Sequence, residues 1–224
     1  MLADALGTYA TAIGLIAVAT AIGAGILAAA GARRLSPVAP VVGLAAAAVI
    51  AWWAVRLPGH GLTALLALVV VAAVAGGYAA IRLEGVGETL TRMLPAGIAT
   101  LAAVSIPFAA EGHFGVLGTG FNVDMSQHLF AASWLADPEG LSPSLLRNGY
   151  PLGPHALAVA ANEVTGELTI AFTGVTIAVP VIAALAAVAA LDSLSRFRTL
   201  IVAVLTALAY LAASYLAQGA FKEL

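Results

Sequence analysis

The 224 residues are 62% hydrophobic and only 9% charged, with a net charge of −2, and such an apolar composition excludes an ordinary soluble globular domain. The nine lysine and arginine residues stand singly or in pairs along the chain, which argues against the basic patch that a nucleic-acid partner requires. The chain has no cysteine, so disulfides and thiolate metal sites are excluded.

Long apolar segments predict an all-α, polytopic transmembrane bundle. A helix crosses the hydrocarbon core of a bilayer with roughly 20 apolar residues, and polar breaks separate several stretches of about that length. We place the transmembrane helices at 9–31, 38–57, 62–82, 93–110, 168–191 and 199–218. The expected fold therefore has about six transmembrane helices plus one or two interfacial or re-entrant helices.

The distribution of positive charge predicts the orientation of this bundle. Six arginines fall at one end: Arg33, Arg34, Arg82, Arg92, Arg196 and Arg198. Three cations fall at the other end: Arg56, Arg147 and Lys222. The end that is richer in arginine is expected in the cytoplasm. The chain is then a multi-pass plasma-membrane protein with both termini, and the polar loop 111–150, on the extracytoplasmic face.

The first half of this polar loop contains a carboxylate at a helix start. Glycine-rich turns lead into a pattern that is helical from about residue 123 to 136, with Asn122 suited to the N-cap. Asp124 then lies in the first turn, where the helix dipole favours its ionised form, and His128 shares its face one turn later. Asp124 is a candidate proton acceptor or cation ligand. The simpler alternative is an acid that only complements the dipole.

A second polar cluster ends the loop. Arg147 precedes residues 148–155 (NGYPLGPH), in which Asn-Gly and two prolines predict a turn, and Pro154 suits the first position of a new helix. His155 then lies near a helix start. The short apolar helix that follows, at about 154–164, cannot span a bilayer by itself. We expect it to be re-entrant or to lie on the membrane surface.

The chemistry of these residues leaves alternatives open. Asp124 and His128, one helical turn apart, could bind a divalent metal, but a metal site usually needs a third protein ligand, for which Glu111, His113 and His155 are candidates. No cofactor is implied with certainty. Aromatic side chains such as Tyr150 often anchor a helix at the membrane interface. Arg147 is either a solvated loop charge or a contact for an anion such as phosphate.

Residues 122–129 (NVDMSQHL) and 148–155 (NGYPLGPH) resemble the GT-C superfamily of membrane glycosyltransferases. The order of elements over residues 93–218 is also similar: an outward helix, an acidic loop, an interfacial helix, a Tyr-Pro turn and a return helix. The resemblance implies transfer of a sugar from a polyprenyl-phosphate donor to a glycan or lipid acceptor of the cell envelope, on the extracytoplasmic face.

The same resemblance implies roles for individual residues. Asp124 matches the acid of the family's outer loop and would be the general base for the acceptor hydroxyl, or a metal ligand. Tyr150 and Pro151 match the family's Tyr-Pro turn, which would line the donor cavity. His128, Arg147 and His155 are candidates to hold the lipid-linked phosphate. These are the catalytic and substrate-binding residues that we predict.

The resemblance also implies a division of the chain. Residues 93–224 would form the GT-C-like module with its extracytoplasmic loop 111–150, and residues 1–92 would add three N-terminal transmembrane helices. Members of the family usually place the acidic loop after the first helix and have more helices beyond the return helix. We therefore expect the chain to be the N-terminal part of a longer protein, or a reduced relative.

Two other functions remain alternatives. A transporter or lipid flippase also combines spanning helices with half-helices, but it usually carries ionisable residues within the bilayer, and the predicted spans contain almost none. A non-catalytic membrane scaffold would need only small residues for close helix packing. The scaffold alternative predicts that Asp124 can be replaced without loss of function.

Overall fold

The computed structural model of the chain describes residues 2–115, 123–191 and 193–209, with the side chains of residues 123 and 124 outside that description. Over these residues the fold is all-α and contains no β-strand, which confirms the all-α part of the prediction. The helices are α1 Leu2–Ala29, α2 Ala39–Ala54, α3 His60–Arg82, α4 Val86–Glu111, α5 Val123–Ala136, α6 Ser144–Arg147, α7 Gly153–Thr165, α8 Leu168–Ala187 and α9 Arg196–Ala207. A short 3-10 helix, Val188–Ala190, extends α8.

Four of these helices are long and apolar enough to cross a membrane: α1, α3, α4 and α8 with its 3-10 extension. The surface of α3 shows why water is a poor solvent for them, since Leu66, Val70 and Val74 are exposed and Ile81 is 85% exposed. Helix α2 is apolar but has 16 residues, and residues 210–218 of the last predicted crossing lie outside the described residues. A count of six crossings therefore stays a prediction.

Two helix starts differ from the prediction. The first helix begins at Leu2 instead of residue 9, with Asp4 in its first turn, where the helix dipole favours an acid. The fourth helix begins at Val86 instead of residue 93, and its first turn contains Glu88. The carboxylate oxygen Oε2 of Glu88 lies 3.9 Å from the guanidinium nitrogen Nη1 of Arg34, and both side chains are well exposed. The sequence predicts a break between residues 82 and 93, but the charged residues there continue α4 at its solvated end.

Glycines bring α1 and α2 into close contact, at what we call the glycine crossing of Gly23 and Gly43. A Cβ atom on Gly23 would overlap the carbonyl group of Ala39, and one on Gly43 would overlap the carbonyl group of Ala19. Small residues permit this close approach of two backbones. The antiparallel pair therefore depends on the absence of side chains at these two positions.

Helix α8 joins the first and second halves of the chain. A Cβ atom on Gly174 would come within 2.7 Å of the carbonyl oxygen of Thr8 in α1, and one on Gly97 of α4 would lie 3.0 Å from Leu185. Tyr9 of α1 also donates a hydrogen bond of 2.7 Å to Ser105 of α4. The helices of residues 1–92 and those that follow thus pack against each other.

Helix α7 enters the bundle without crossing it. At its first residue, a Cβ atom on Gly153 would lie 3.0 Å from the Cβ of Ala48, which lies within α2. Towards its other end, the carbonyl of Val159 and the carboxylate of Glu163 face Gly61, at the start of α3. Gly166 then ends α7 in the left-handed conformation, with φ of 70°. The helix is a half-helix whose N-terminus lies inside the protein.

Candidate functional site

Helices α5 and α7 bring two histidines together in the protein interior. His128, in the second turn of α5, is 1% exposed, and His155, in the first turn of α7, is 0% exposed. Nδ1 of His128 lies 2.8 Å from Nε2 of His155, which is a hydrogen bond between the two rings. We call these two residues the histidine pair. This hydrogen bond connects two residues that are 27 positions apart in the chain.

Two aromatic rings enclose the histidine pair. The ring of Tyr150 lies 5.4 Å from that of His128 and 6.1 Å from that of His155, measured between centroids. The second ring is that of Phe172 in α8, which packs edge-on against His155 with the two ring centroids 5.7 Å apart. These contacts hold the imidazole rings in fixed orientations and exclude water from much of their surface.

Burial decides the charge of His155. Removal from water, and secondarily the neighbouring His128, lower the pKa of His155 from 6.5 to about 3. His155 is therefore a neutral imidazole at physiological pH. It can donate or accept hydrogen bonds, but it cannot supply a positive charge to hold a phosphate.

Two neutral imidazole rings in this geometry can relay a proton. Each neutral imidazole has one N–H group and one nitrogen lone pair. In the hydrogen bond between them, one ring donates and the other accepts, and either direction satisfies the contact. If one outer nitrogen, His128 Nε2 or His155 Nδ1, takes up a proton, the proton in the central hydrogen bond can shift and the other outer nitrogen can release its own. The net result is transfer of one proton across the pair. The arrangement suits proton transfer or orientation of a polar ligand.

The structure brings together three of the five predicted site residues: His128, Tyr150 and His155. Arg147 ends the short helix α6 and is exposed. Asp124 lies in the first turn of α5, as predicted, but its side chain lies outside the described residues. The predicted helices at 123–136 and 154–164 correspond to α5 and α7 within one residue at each end.

The described residues do not test the metal hypothesis, because the side chain of Asp124 lies outside them. Among them, no group of three or more histidine, aspartate or glutamate side chains lies close enough to hold an ion. Glu111 and His113, two of the proposed ligands, are exposed at and just beyond the end of α4. Metal binding by Asp124 and His128 stays a prediction.

An apolar cavity of about 260 Å³ lies beside the half-helix, between α1, α3, α7 and α8. Its walls include Gly14 and Leu15 of α1, Leu65 of α3, and Leu157 and Ala161 of α7. The histidine pair and Tyr150 do not line it. Helix α7 therefore carries His155 at its buried N-terminus and borders an apolar cavity along its length.

Two features of the site were not predicted. Phe172 had no distinguishing signal, because it lies in a continuous apolar segment that reads only as a membrane span. The second is Trp134 of α5, whose Nε1 is buried and has no hydrogen-bond partner among the described residues. A buried indole N–H usually finds a partner.

Comparisons with protein-family models, with curated proteins and with solved structures found no match for this chain. A function can therefore be inferred only from the residues of the site and from the chemistry they can perform.

Proposed function

We propose that this chain belongs to a multi-pass membrane enzyme of the glycosyltransferase type. It transfers a sugar from a polyprenyl-phosphate donor to a cell-envelope acceptor on the extracytoplasmic face of the plasma membrane. The main support for this proposal is the hydrogen bond of 2.8 Å between His128 Nδ1 and His155 Nε2. It joins residues 122–129 to residues 148–155, the two segments on which the resemblance to the GT-C superfamily depends.

In this proposal, Asp124 removes the proton of the acceptor hydroxyl as that oxygen attacks the anomeric carbon and the polyprenyl phosphate leaves. A carboxylate at a helix start is ionised at neutral pH and can perform this step. An alternative role is ligation of a divalent cation with His128. Because α5 is helical from Val123, Asp124 lies one turn before His128 in the same helix.

The remaining residues have positioning roles. The histidine pair and Tyr150 orient the donor or acceptor through hydrogen bonds, and they keep the site rigid. Arg147, which is exposed, provides the positive charge for the donor phosphate, because burial lowers the pKa of His155 to about 3 and leaves it neutral. The apolar cavity beside α7 has the composition to hold part of the polyprenyl chain.

The membrane arrangement in this proposal has six crossings, with α2 and α9 added to the four long helices. The excess of arginine at the end formed by Arg33, Arg82 and Arg196 supports a cytoplasmic location for that end. The loop that contains the site would then face outwards.

The test is sugar transfer from a polyprenyl-phosphate donor in membranes that contain the natural full-length protein. We expect Asp124→Asn to lower the transfer rate by at least about 100-fold, as loss of a general base usually does. Asp137→Asn is the matched control, because Asp137 is exposed just beyond α5, and its transfer rate should be unchanged. Equal transfer by the wild type and Asp124→Asn would refute the role of Asp124.

A second function, proton-coupled transport or lipid flipping, is favoured by one observation. His155 is fully buried in the first turn of a half-helix, where it contacts His128, and transporters often bind their ions and substrates at such interrupted helices. Proteoliposomes distinguish the two functions. Movement of a fluorescent lipid or of protons that is lost in His155→Gln, without any sugar transfer, would support transport. Absence of both activities in the wild type would favour the scaffold alternative.

A further inference from the structure

One arginine and two tryptophans form a cluster at the end of α2. The guanidinium carbon of Arg56 lies 3.6 Å from the centroid of the Trp52 ring and 5.3 Å from that of the Trp53 ring. Arg56 comes just after the helix, which ends at Ala54, so its side chain folds back over the last helical turn. We call Trp52, Trp53 and Arg56 the Trp-Arg corner. None of its residues belongs to the histidine pair or lines the apolar cavity beside α7.

The position of the Trp-Arg corner is fixed by the rest of the fold. The ring of Trp52 is partly buried and packs against the hydrophobic core. In the turn that follows α2, Nδ1 of His60 donates a hydrogen bond of 2.9 Å to the carbonyl oxygen of Val55. These contacts hold Arg56 against a rigid aromatic surface, so little conformational freedom is lost when a ligand binds.

The guanidinium group keeps its hydrogen-bond donors for a ligand. Within the described part of the chain, Arg56 has the two ring contacts and neither a hydrogen bond nor an ion pair. A cation–π contact engages the face of the aromatic ring and does not require an N–H group to donate a hydrogen bond. The side chain of Arg56 is exposed, and its N–H groups match the paired oxygens of a phosphate. Arg56 can therefore bind an anion while it stays on the rings.

The apolar residues beside Arg56 indicate which anion is available. Trp53 is 64% exposed and Leu57 is 54% exposed, so an apolar surface adjoins the guanidinium group. Exposed tryptophans of membrane proteins lie at the boundary between the hydrocarbon core and the lipid headgroups. The anion present at that depth is the phosphate of a phospholipid.

The length of α2 brings these phosphates closer to Arg56. In the proposed membrane arrangement α2 crosses the bilayer, but its 16 residues span only about 24 Å, which is less than the hydrocarbon core of about 30 Å. A short span is accommodated by local thinning of the bilayer. Thinning draws the headgroups of one leaflet towards the end of α2, where Arg56 lies.

We infer that the Trp-Arg corner binds the phosphate group of a phospholipid, in the leaflet at the end of the bundle remote from Arg33 and Arg34. The guanidinium group of Arg56 donates hydrogen bonds to the phosphate oxygens, Trp53 contacts the acyl chains, and Trp52 holds the guanidinium group in place. The inference uses the proposed crossing of α2, but it does not depend on the proposed sugar transfer.

A site-specific label tests the inference, because the 224 residues contain no cysteine. A nitroxide is attached to the delipidated protein through Leu57→Cys, beside Arg56, and phosphatidylglycerol is added in a detergent that contains no phosphate. Bound lipid is detected by the faster relaxation of its phosphorus magnetic resonance signal near the nitroxide. We expect Arg56→Gln to raise the half-saturating lipid concentration about fivefold, the contribution of one arginine near a membrane surface. Arg56→Lys keeps the charge but loses the paired donors, so it should raise this concentration less.

The matched control places the same nitroxide at the opposite end of α3, through Ile81→Cys, where residue 81 is 85% exposed. Lipid binding detected there should change less than about twofold when Arg56→Gln is introduced. An unchanged half-saturating concentration at the Leu57→Cys label in Arg56→Gln would overturn the inference, and so would an equal rise at the Ile81→Cys label. Displacement of the lipid by an equal concentration of inorganic phosphate would also overturn it, because the site would then bind soluble anions.

Discussion

The glycine crossing and the histidine pair are both buried contacts between helices, but they are built from opposite kinds of residue. At the glycine crossing, backbones of α1 and α2 touch because Gly23 and Gly43 have no side chains. At the histidine pair, two large polar side chains meet and satisfy each other through one hydrogen bond. The first contact needs no polar group, and such packing is common between membrane helices. The second buries polar groups at a cost, which is the usual mark of a functional site.

The comparison predicts that the glycine crossing is the more sensitive of the two to a single methyl group. Gly43→Ala places a Cβ against the carbonyl group of Ala19, and relief requires the helices to separate. We expect a loss of about 3 kcal/mol or more in the free energy of unfolding, measured by thermal or denaturant unfolding in detergent micelles. Gly14→Ala is the control, because its Cβ would meet no atom within 4 Å. Equal stability of the two variants would contradict the close crossing.

The histidine pair, unlike the glycine crossing, should make stability depend on pH. The pKa of His155 is about 3 in the folded protein and 6.5 in the unfolded chain, so the unfolded chain binds more protons between these values. The contribution of neutral His155 to the free energy of unfolding is fully present above about pH 6.5. It falls towards pH 3, by up to about 1.4 kcal/mol per pH unit. The loss at pH 5 should be about 2 kcal/mol.

The controls for this pH dependence are two histidine variants. His155→Gln removes the titrating group, so the stability of this variant should vary less between pH 5 and pH 7 than that of the wild type. His113→Gln changes an exposed histidine and should keep the wild-type dependence. A pH profile that is the same in all three proteins would show that His155 does not titrate as its burial implies.

Replacement of one histidine should cost more than the lost contact itself, because the other histidine stays buried. His155→Phe removes the acceptor or donor that lies 2.8 Å from His128 Nδ1. We expect a loss of about 1 to 2 kcal/mol. His155→Gln, whose amide can replace Nε2 as a partner, should lose less. Unfolding free energies of the two variants test this order, and a His155→Phe protein as stable as the wild type would contradict it.

The smallest loss of stability is expected at the contact between α7, which carries His155, and α2, which carries Gly43. Gly153→Ala adds a methyl group 3.0 Å from the Cβ of Ala48, a tight contact that a small shift of the half-helix can relieve. We expect a loss of about 1 kcal/mol. Combination with Ala48→Gly should restore part of this loss if the two residues touch. Strict additivity of the two changes would place them out of contact.

Much of the fold could be predicted from sequence because apolar length and polar breaks define helices locally. The helix predicted at 62–82 corresponds to His60–Arg82, and the one at 168–191 to Leu168–Ala190. The helix starts at Leu2 and Val86 were missed, because a charged residue in a first turn looks the same in sequence as a charged residue in a loop. Apolar length likewise cannot decide whether α2, with 16 residues, crosses the bilayer.

The candidate site could be predicted only in part. His128 and His155 were selected because polar residues are rare in this chain, but their hydrogen bond joins positions 27 residues apart. No local pattern encodes such a contact, which depends on how the half-helix packs between α2, α3 and α8. For the same reason the burial that lowers the pKa of His155, and the contact with Phe172, could be found only in the folded chain.

The central claim is that His128 and His155 act as one unit in sugar transfer, and a double-mutant cycle tests it most directly. His128→Asn, His155→Gln and the double variant would be compared with the wild type in membranes, by the initial rate of transfer from a polyprenyl-phosphate donor. The account predicts that each single change lowers the rate by about tenfold or more, and that the double change costs no more than the worse single change. Undiminished transfer in either single variant, or losses that multiply in the double variant, would contradict it.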